Sequence, residues 1–132
     1  MNGHVGCAYV FGGRPCKVSL PSVSSVFTAE LTAIFEALQC ARTDGRVHFL
    51  LCTDSMSSMQ AIDSCFPRNP LVSRIHDLLA GLRDAGIRVT FLWLPSHMGI
   101  AGNELADRYA TISYFSNTFY IIKLGRRIIR NI

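Results

Sequence analysis

The chain has 132 residues, 49% of them hydrophobic, so one domain with a single core is expected. Its net charge of +4 is compatible with a polyanionic partner but does not require one. The five scattered cysteines include no CxxC pair, which argues against a disulfide framework or a cysteine-based zinc site. Neither a signal-peptide pattern nor a run of membrane-span length occurs, which predicts an intracellular protein, cytoplasmic or nuclear, with no membrane partner.

The first part of the chain predicts a hairpin, a long helix and a buried strand. Residues 6–11 are apolar and aromatic, a Gly-Gly-Arg-Pro break follows, and residues 16–20 alternate, as is typical of two antiparallel strands. From Ser25 to Gly45, apolar residues recur at spacings of three and four, which is the period of one helix face. The nearly continuous apolar run at residues 47–53, VHFLLCT, predicts a strand that is covered on both faces.

Two helices are predicted after this strand. Asp54 and Ser55 end the strand, and they can cap a helix over residues 56–65. After a Pro-rich loop, apolar residues recur on one helical face over residues 71–82, and Gly86 closes that helix. These elements indicate that the chain crosses over the sheet between strands.

A further strand, a helix and a tail complete the predicted layout. Residues 87–93 alternate as a strand that ends before Pro95, and Asn103 is a good cap for a helix over residues 104–112. The order β-β-α-β-α-α-β-α indicates an α/β fold, in which sites usually lie at the carboxyl ends of the strands. Residues 113–132 are apolar, basic and free of acids, and we treat them as a tail of unknown role.

Three of the nine acidic residues stand out by position. Glu30 lies at the margin of the apolar face of the long helix, Asp54 at the end of the buried strand, and Asp107 in the first turns of the last helix. Each alone has an ordinary interpretation as a surface acid, a helix cap or a partner of the helix dipole. Together, one strand end and two helices could bring three carboxylates to one spot. Such a cluster suits Mg²⁺ or Mn²⁺, and two such ions can promote phosphodiester cleavage.

Three motifs, TAELTAIFEAL, TDSMSSMQAI and WLPSHMGIAGNELADRYA, carry a resemblance to a known family. In this order and spacing they resemble the ribonuclease H domain found at the carboxyl end of non-LTR retrotransposon polyproteins. The resemblance implies a domain over residues 1–112, with a mixed five-stranded sheet flanked by helices. It also implies cleavage of the RNA strand of an RNA/DNA hybrid with two Mg²⁺ or Mn²⁺ ions. Glu30, Asp54 and Asp107 match metal-binding and catalytic carboxylates, and His97 matches a mobile-loop histidine implicated in proton transfer or product departure.

The family has a fourth metal-binding carboxylate, an aspartate of a DGS-type motif on its first and central strand. No acidic residue precedes Glu30 in this chain, so we expect that strand and its aspartate to be missing by N-terminal truncation. Loss of the strand would expose two strand edges. Three explanations stay open, namely a gene fragment, replacement of the strand, and an inactive relic. The tail segment NTFYIIKL has strand composition, although a tail helix or a disordered basic end is an equal alternative.

The leading hypothesis is therefore a hybrid-cleaving ribonuclease H domain by descent, with catalysis impaired by the absent aspartate. The alternative is a non-catalytic nucleic-acid-binding remnant of a retrotransposon, and a third hypothesis is a chain that does not fold alone. In the second case four basic tail residues would bind phosphates: Lys123, Arg126, Arg127 and Arg130. Other residues that would bind the hybrid are not assigned by the sequence.

Overall fold

The computed structural model describes residues 5–12, 14–21, 23–93 and 120–125. The elements in these ranges are β1 (Val5–Phe11), β2 (Arg14–Leu20), α1 (Val26–Asp44), β3 (His48–Thr53), α2 (Met56–Asp63), α3 (Pro70–Asp84), β4 (Arg88–Trp93) and β5 (Tyr120–Gly125). The predicted helix at residues 104–112 lies outside the described residues. The predicted hairpin, long helix, buried strand, following pair of helices and later strand are confirmed, with bounds that shift by a few residues.

Local sequence signals explain the hairpin and the long helix. β1 and β2 pair antiparallel around Gly12, whose φ of 55° is the left-handed conformation that a tight hairpin turn requires. The Ser25 hydroxyl accepts a hydrogen bond from the Thr28 N–H at the start of α1. Gly45, with a φ of 98°, ends the helix in the left-handed conformation that glycine adopts without strain.

The main core lies between the sheet and helices α1 and α3. Ile34 of α1 and Ile75 of α3 are fully buried there, together with Phe49 of β3. Leu50, which faces the opposite side of β3, is only 1% exposed. β3 is therefore covered on both faces, as its continuous apolar sequence predicts.

The strand order is β2-β1-β5-β3-β4, so β5 is the central strand of the five-stranded sheet. β5 runs antiparallel to β1, with Phe11 opposite Ile122. It runs parallel to β3, with Leu51 also opposite Ile122 and with Cys52 opposite Lys123. β3 and β4 are parallel as well, and α2 and α3 form the connection between them.

β5 fills the central position of the sheet, so among the explanations left open the structure matches replacement of the missing strand by part of the tail segment NTFYIIKL. The mixed sheet flanked by helices is confirmed, but the two strand edges expected beside a missing strand are both paired with β5. Ile122 is fully buried in the main core, which explains why this apolar segment is stabilised as a strand. Six residues of the 113–132 tail therefore share the sheet with the rest of the fold.

None of the helices in the described ranges has the length and apolarity needed to cross a membrane.

Candidate active site

Asp54 follows β3 directly and lies at the carboxyl end of that strand. The predicted cap of α2 at Asp54 and Ser55 is confirmed at Ser55, which is the N-cap and whose hydroxyl oxygen accepts a hydrogen bond of 3.2 Å from the Ser58 N–H. The Asp54 side chain is half-buried and makes no hydrogen bond or ion pair within the described part of the chain. Its carboxylate is therefore available to a ligand at this corner.

Glu30 reaches the same corner from α1. Ala37 and Ala41, which lie near it on the helix, are fully buried, whereas Glu30 is half-buried, as expected for a residue at the margin of the apolar face. The Ser55 hydroxyl donates a hydrogen bond of 2.5 Å to Glu30 Oε2. This bond joins two segments 25 residues apart and places the glutamate against the residue that follows Asp54.

Buried hydroxyl groups surround this bond. Ser55 is 6% exposed and Ser58 is fully buried, and their oxygens lie 2.7 Å apart. The Ser55 hydroxyl donates its single proton to Glu30, and the Ser58 hydroxyl oxygen lies within hydrogen-bonding distance of the same Ser55 oxygen. The Ser55 N–H donates to the Thr53 hydroxyl oxygen at 3.0 Å. A hydroxyl held in this way fixes the Glu30 carboxylate through a charge-assisted bond.

Sequence reasoning did not assign Ser55 and Ser58 to the site. The local signal was present, since a serine followed three residues later by a second serine is compatible with a helix cap. Nothing in that spacing points to Glu30, because the contact arises only when α1 and α2 pack on the same sheet. The two serines therefore emerge from the three-dimensional arrangement alone.

Asp107 and His97 lie outside the described residues, so their approach to Glu30 and Asp54 stays a prediction. Within the described ranges, no group of three or more His, Cys, Asp or Glu side chains could hold a metal ion. Glu30 and Asp54 nevertheless carry hard oxygen donors near the carboxyl end of β3, which is next to the central strand. In the described part of the chain the Asp54 side chain has no hydrogen-bonding partner. This donor chemistry fits part of the ligand set of a divalent cation.

The resolved pKa shifts lie on β1, next to the central strand. Burial, with a smaller contribution from the negative charge of Glu36, raises the pKa of Cys7 from 9.0 to about 11, although a backbone hydrogen bond offsets part of the rise. Burial and the 3.3 Å hydrogen bond to Cys40 Sγ raise the pKa of Tyr9 well above its ordinary value. Cys7 and Tyr9 are therefore neutral at neutral pH, and they add no negative charge to β1.

Fold and site together define a class: an α/β protein with a mixed sheet, in which Glu30 of α1 is hydrogen-bonded to Ser55, the residue that follows Asp54 at the end of a buried strand. Comparison with protein families gives the same class in more detail, because the family model described as RNase H matches residues 1–114. The chain belongs to the RNase H family. This family binds RNA–DNA hybrids and generally uses divalent metal ions such as Mg²⁺. A search of curated proteins found no match.

Proposed function

We propose that the corner formed by Glu30 and Asp54 is part of an active site that hydrolyses the RNA strand of an RNA/DNA hybrid. The observation that carries this proposal is the hydrogen bond from Ser55 to Glu30. It holds α1, which carries Glu30, at the carboxyl end of β3, where Asp54 follows the strand. The match of the chain to the RNase H family supports the substrate and the reaction. The three sequence motifs further support an origin in a non-LTR retrotransposon polyprotein.

Glu30 and Asp54, with Asp107 as a third carboxylate, would hold the divalent ions. When bound, two such ions supply an activated water and stabilise the leaving oxygen of the phosphodiester. The role of the protein is to hold the carboxylates in place before the ions arrive, as Ser55 does for Glu30. We assign His97 the transfer of a proton or the departure of the product, on the basis of its motif.

We also infer that catalysis is impaired, because β5 brings no carboxylate to the centre of the sheet. Its sequence is Tyr-Ile-Ile-Lys-Leu-Gly, and Lys123 lies in register with Cys52, two residues before Asp54. Both neighbours of the central position are hydrogen-bonded to β5, so no other strand can pair there while β5 is in place. Loss of one metal-binding carboxylate should slow the reaction by roughly a thousandfold, or about 4 kcal/mol.

A non-catalytic nucleic-acid-binding remnant is the second candidate function, and the direction of β5 favours it. Because β5 is parallel to β3, the two strands end on the same side of the sheet. Gly125, the last residue of β5, therefore lies on the side where β3 ends before Asp54. Arg126 and Arg127 follow Gly125 directly in the sequence. If these arginines bind phosphates, the affinity for nucleic acid should fall as salt rises.

A cleavage assay on a hybrid with a labelled RNA strand tests the proposed function. We expect slow, Mg²⁺-dependent cleavage of the RNA strand only, and we expect Asp54→Asn to lower the rate at least tenfold because it removes a charged ligand. Asp63→Asn is the matched control, since Asp63 is an exposed acid at the end of α2. Equal rates for Asp54→Asn and the unchanged chain would contradict the proposal.

Measurements of hybrid binding on the same proteins distinguish the nuclease from the non-catalytic binding remnant. The binding remnant requires the absence of cleavage at every Mg²⁺ concentration. It also requires binding that survives Asp54→Asn and is lost in a chain that ends at residue 125. Metal-dependent cleavage that Asp54→Asn abolishes would reject the remnant in favour of the nuclease.

A further inference from the structure

We propose that Ser55 is a positioning residue that holds the Glu30 carboxylate ready for a divalent cation while it caps α2. The inference rests on the proposed cation site, and it adds a residue to that site which neither the family match nor the motifs assign. Ser55 acts through Glu30 and is not itself placed on the cation.

The two oxygens of Glu30 have different surroundings. Oε2 accepts the hydrogen bond from the Ser55 hydroxyl, whereas Oε1 has no partner in the described part of the chain. A glutamate side chain has three rotatable bonds and loses considerable freedom when a ligand fixes it. Because one oxygen is already anchored, part of that loss occurs on folding, and the other oxygen can bind a cation at lower entropic cost.

Ser55 is itself held firmly enough to serve as an anchor. Its hydroxyl oxygen accepts from the Ser58 N–H at 3.2 Å and lies 2.7 Å from the Ser58 hydroxyl oxygen, and the Ser55 N–H donates to Thr53 Oγ1 at 3.0 Å. The side chain is almost entirely buried, so water does not compete strongly for the hydroxyl. The position of the Glu30 carboxylate is thereby tied to the N-terminus of α2 and to the end of β3.

The other helix caps show that this arrangement is particular to α2. Among the described residues, the Ser25 side chain bonds only to Thr28 of its own helix, through the N–H and the hydroxyl of that residue. The Asn69 side chain accepts a hydrogen bond only from the Leu71 N–H of its own helix, within the described part of the chain. Of the N-caps in the described ranges, only Ser55 also holds an acidic residue of a different helix.

Titration of Mn²⁺ into the full chain tests the positioning role. Ser55→Gly removes the hydroxyl but retains a residue that caps a helix nearly as well, so the cost to α2 is small. We expect this variant to raise the Mn²⁺ dissociation constant about tenfold or more, in line with other residues that orient metal ligands. Ser55→Thr, which keeps a hydroxyl, should restore the affinity to within about threefold.

Asn69→Ala is the matched control for the loss of a cap without a contact to Glu30. It should lower the melting temperature and leave the Mn²⁺ affinity unchanged, which separates positioning from general stability. If Ser55→Gly does not melt cooperatively, Ser55→Ala provides the same loss of the hydroxyl with the β-carbon retained. For either variant, an affinity equal to that of the unchanged chain would overturn the positioning role.

Glu30→Gln distinguishes failure of the inference from failure of the proposed site. If Glu30→Gln weakens Mn²⁺ binding but the folded Ser55 variants do not, the cation site stands and the role of Ser55 is rejected. If Glu30→Gln binds Mn²⁺ as the unchanged chain does, the cation site itself is rejected and the positioning role falls with it. The expected result is a loss of affinity in both Glu30→Gln and Ser55→Gly.

Discussion

A chain that ends at residue 119 should lose cooperative unfolding, whereas a chain that ends at residue 125 should retain it. The difference between the two chains is β5, which pairs with β1 on one side and β3 on the other. Its removal would open two strand edges and uncover the apolar side chains that pack around Ile122. Thermal melts followed by circular dichroism and by calorimetry will measure the effect.

A single substitution tests the same point without shortening the chain. Ile122→Ala should lower the free energy of unfolding by about 3 kcal/mol, because Ile122 is fully buried in the main core. Val23→Ala is the matched control, since Val23 is 91% exposed and its truncation should change the free energy by less than about 0.5 kcal/mol. Similar small changes in both variants, with intact cooperativity in the chain that ends at 119, would contradict a central position for β5.

Exchange of the central strand should restore the rate of RNA cleavage. The exchanged variant carries an Asp-Gly-Ser strand and a short turn ahead of β1, and it ends at residue 119. β5 is antiparallel to β1, and a strand joined to β1 by a hairpin would take the same direction in the same position. We expect the rate of Mg²⁺-dependent cleavage to rise by roughly a thousandfold, because the fourth carboxylate returns.

Two controls separate the carboxylate from the strand itself. The exchanged variant with Asn in place of the introduced aspartate should fold equally well and cleave as slowly as the unchanged chain. Addition of Asp54→Asn to the exchanged variant should remove the gain. If the exchanged variant cleaves no faster than its Asn form, impairment by the missing carboxylate is wrong.

The sequence predicts most of the fold where the signals are local. α1 has a capping serine, an apolar period and a closing glycine within one segment, and its observed bounds of Val26–Asp44 lie inside those signals. The run at β3 is short and apolar throughout, which is sufficient to predict a strand buried on both faces. Such elements need no knowledge of distant residues.

β5 could not be predicted with the same certainty, because its stability depends on distant partners. A short apolar segment such as YIIKLG is compatible with a strand or with part of a helix. The deciding factor is the pair of open edges on β1 and β3, more than sixty residues earlier in the chain. A local pattern contains no information on whether those edges are already occupied.

The candidate site also has parts that local sequence predicts and parts that depend on distant contacts. The sequence predicts a site role for Glu30 and Asp54 from their positions on a helix face and at a strand end. It cannot decide between Asp54 and Ser55 as the cap of α2, since both residue types cap helices well. Backbone geometry assigns the cap to Ser55. The bond from Ser55 to Glu30 depends on the packing of two helices, so it could not be read from spacing.

Mn²⁺ binding by the unchanged full chain, compared with binding by Glu30→Gln and Asp54→Asn, tests whether Glu30 and Asp54 are metal ligands, and it does not depend on the rate of catalysis. We expect each substitution to raise the dissociation constant at least tenfold, since each removes a charged oxygen ligand. Asp63→Asn, at an exposed acid of α2, should leave it unchanged. Equal Mn²⁺ affinity in all four proteins would contradict the assignment of Glu30 and Asp54 as metal ligands.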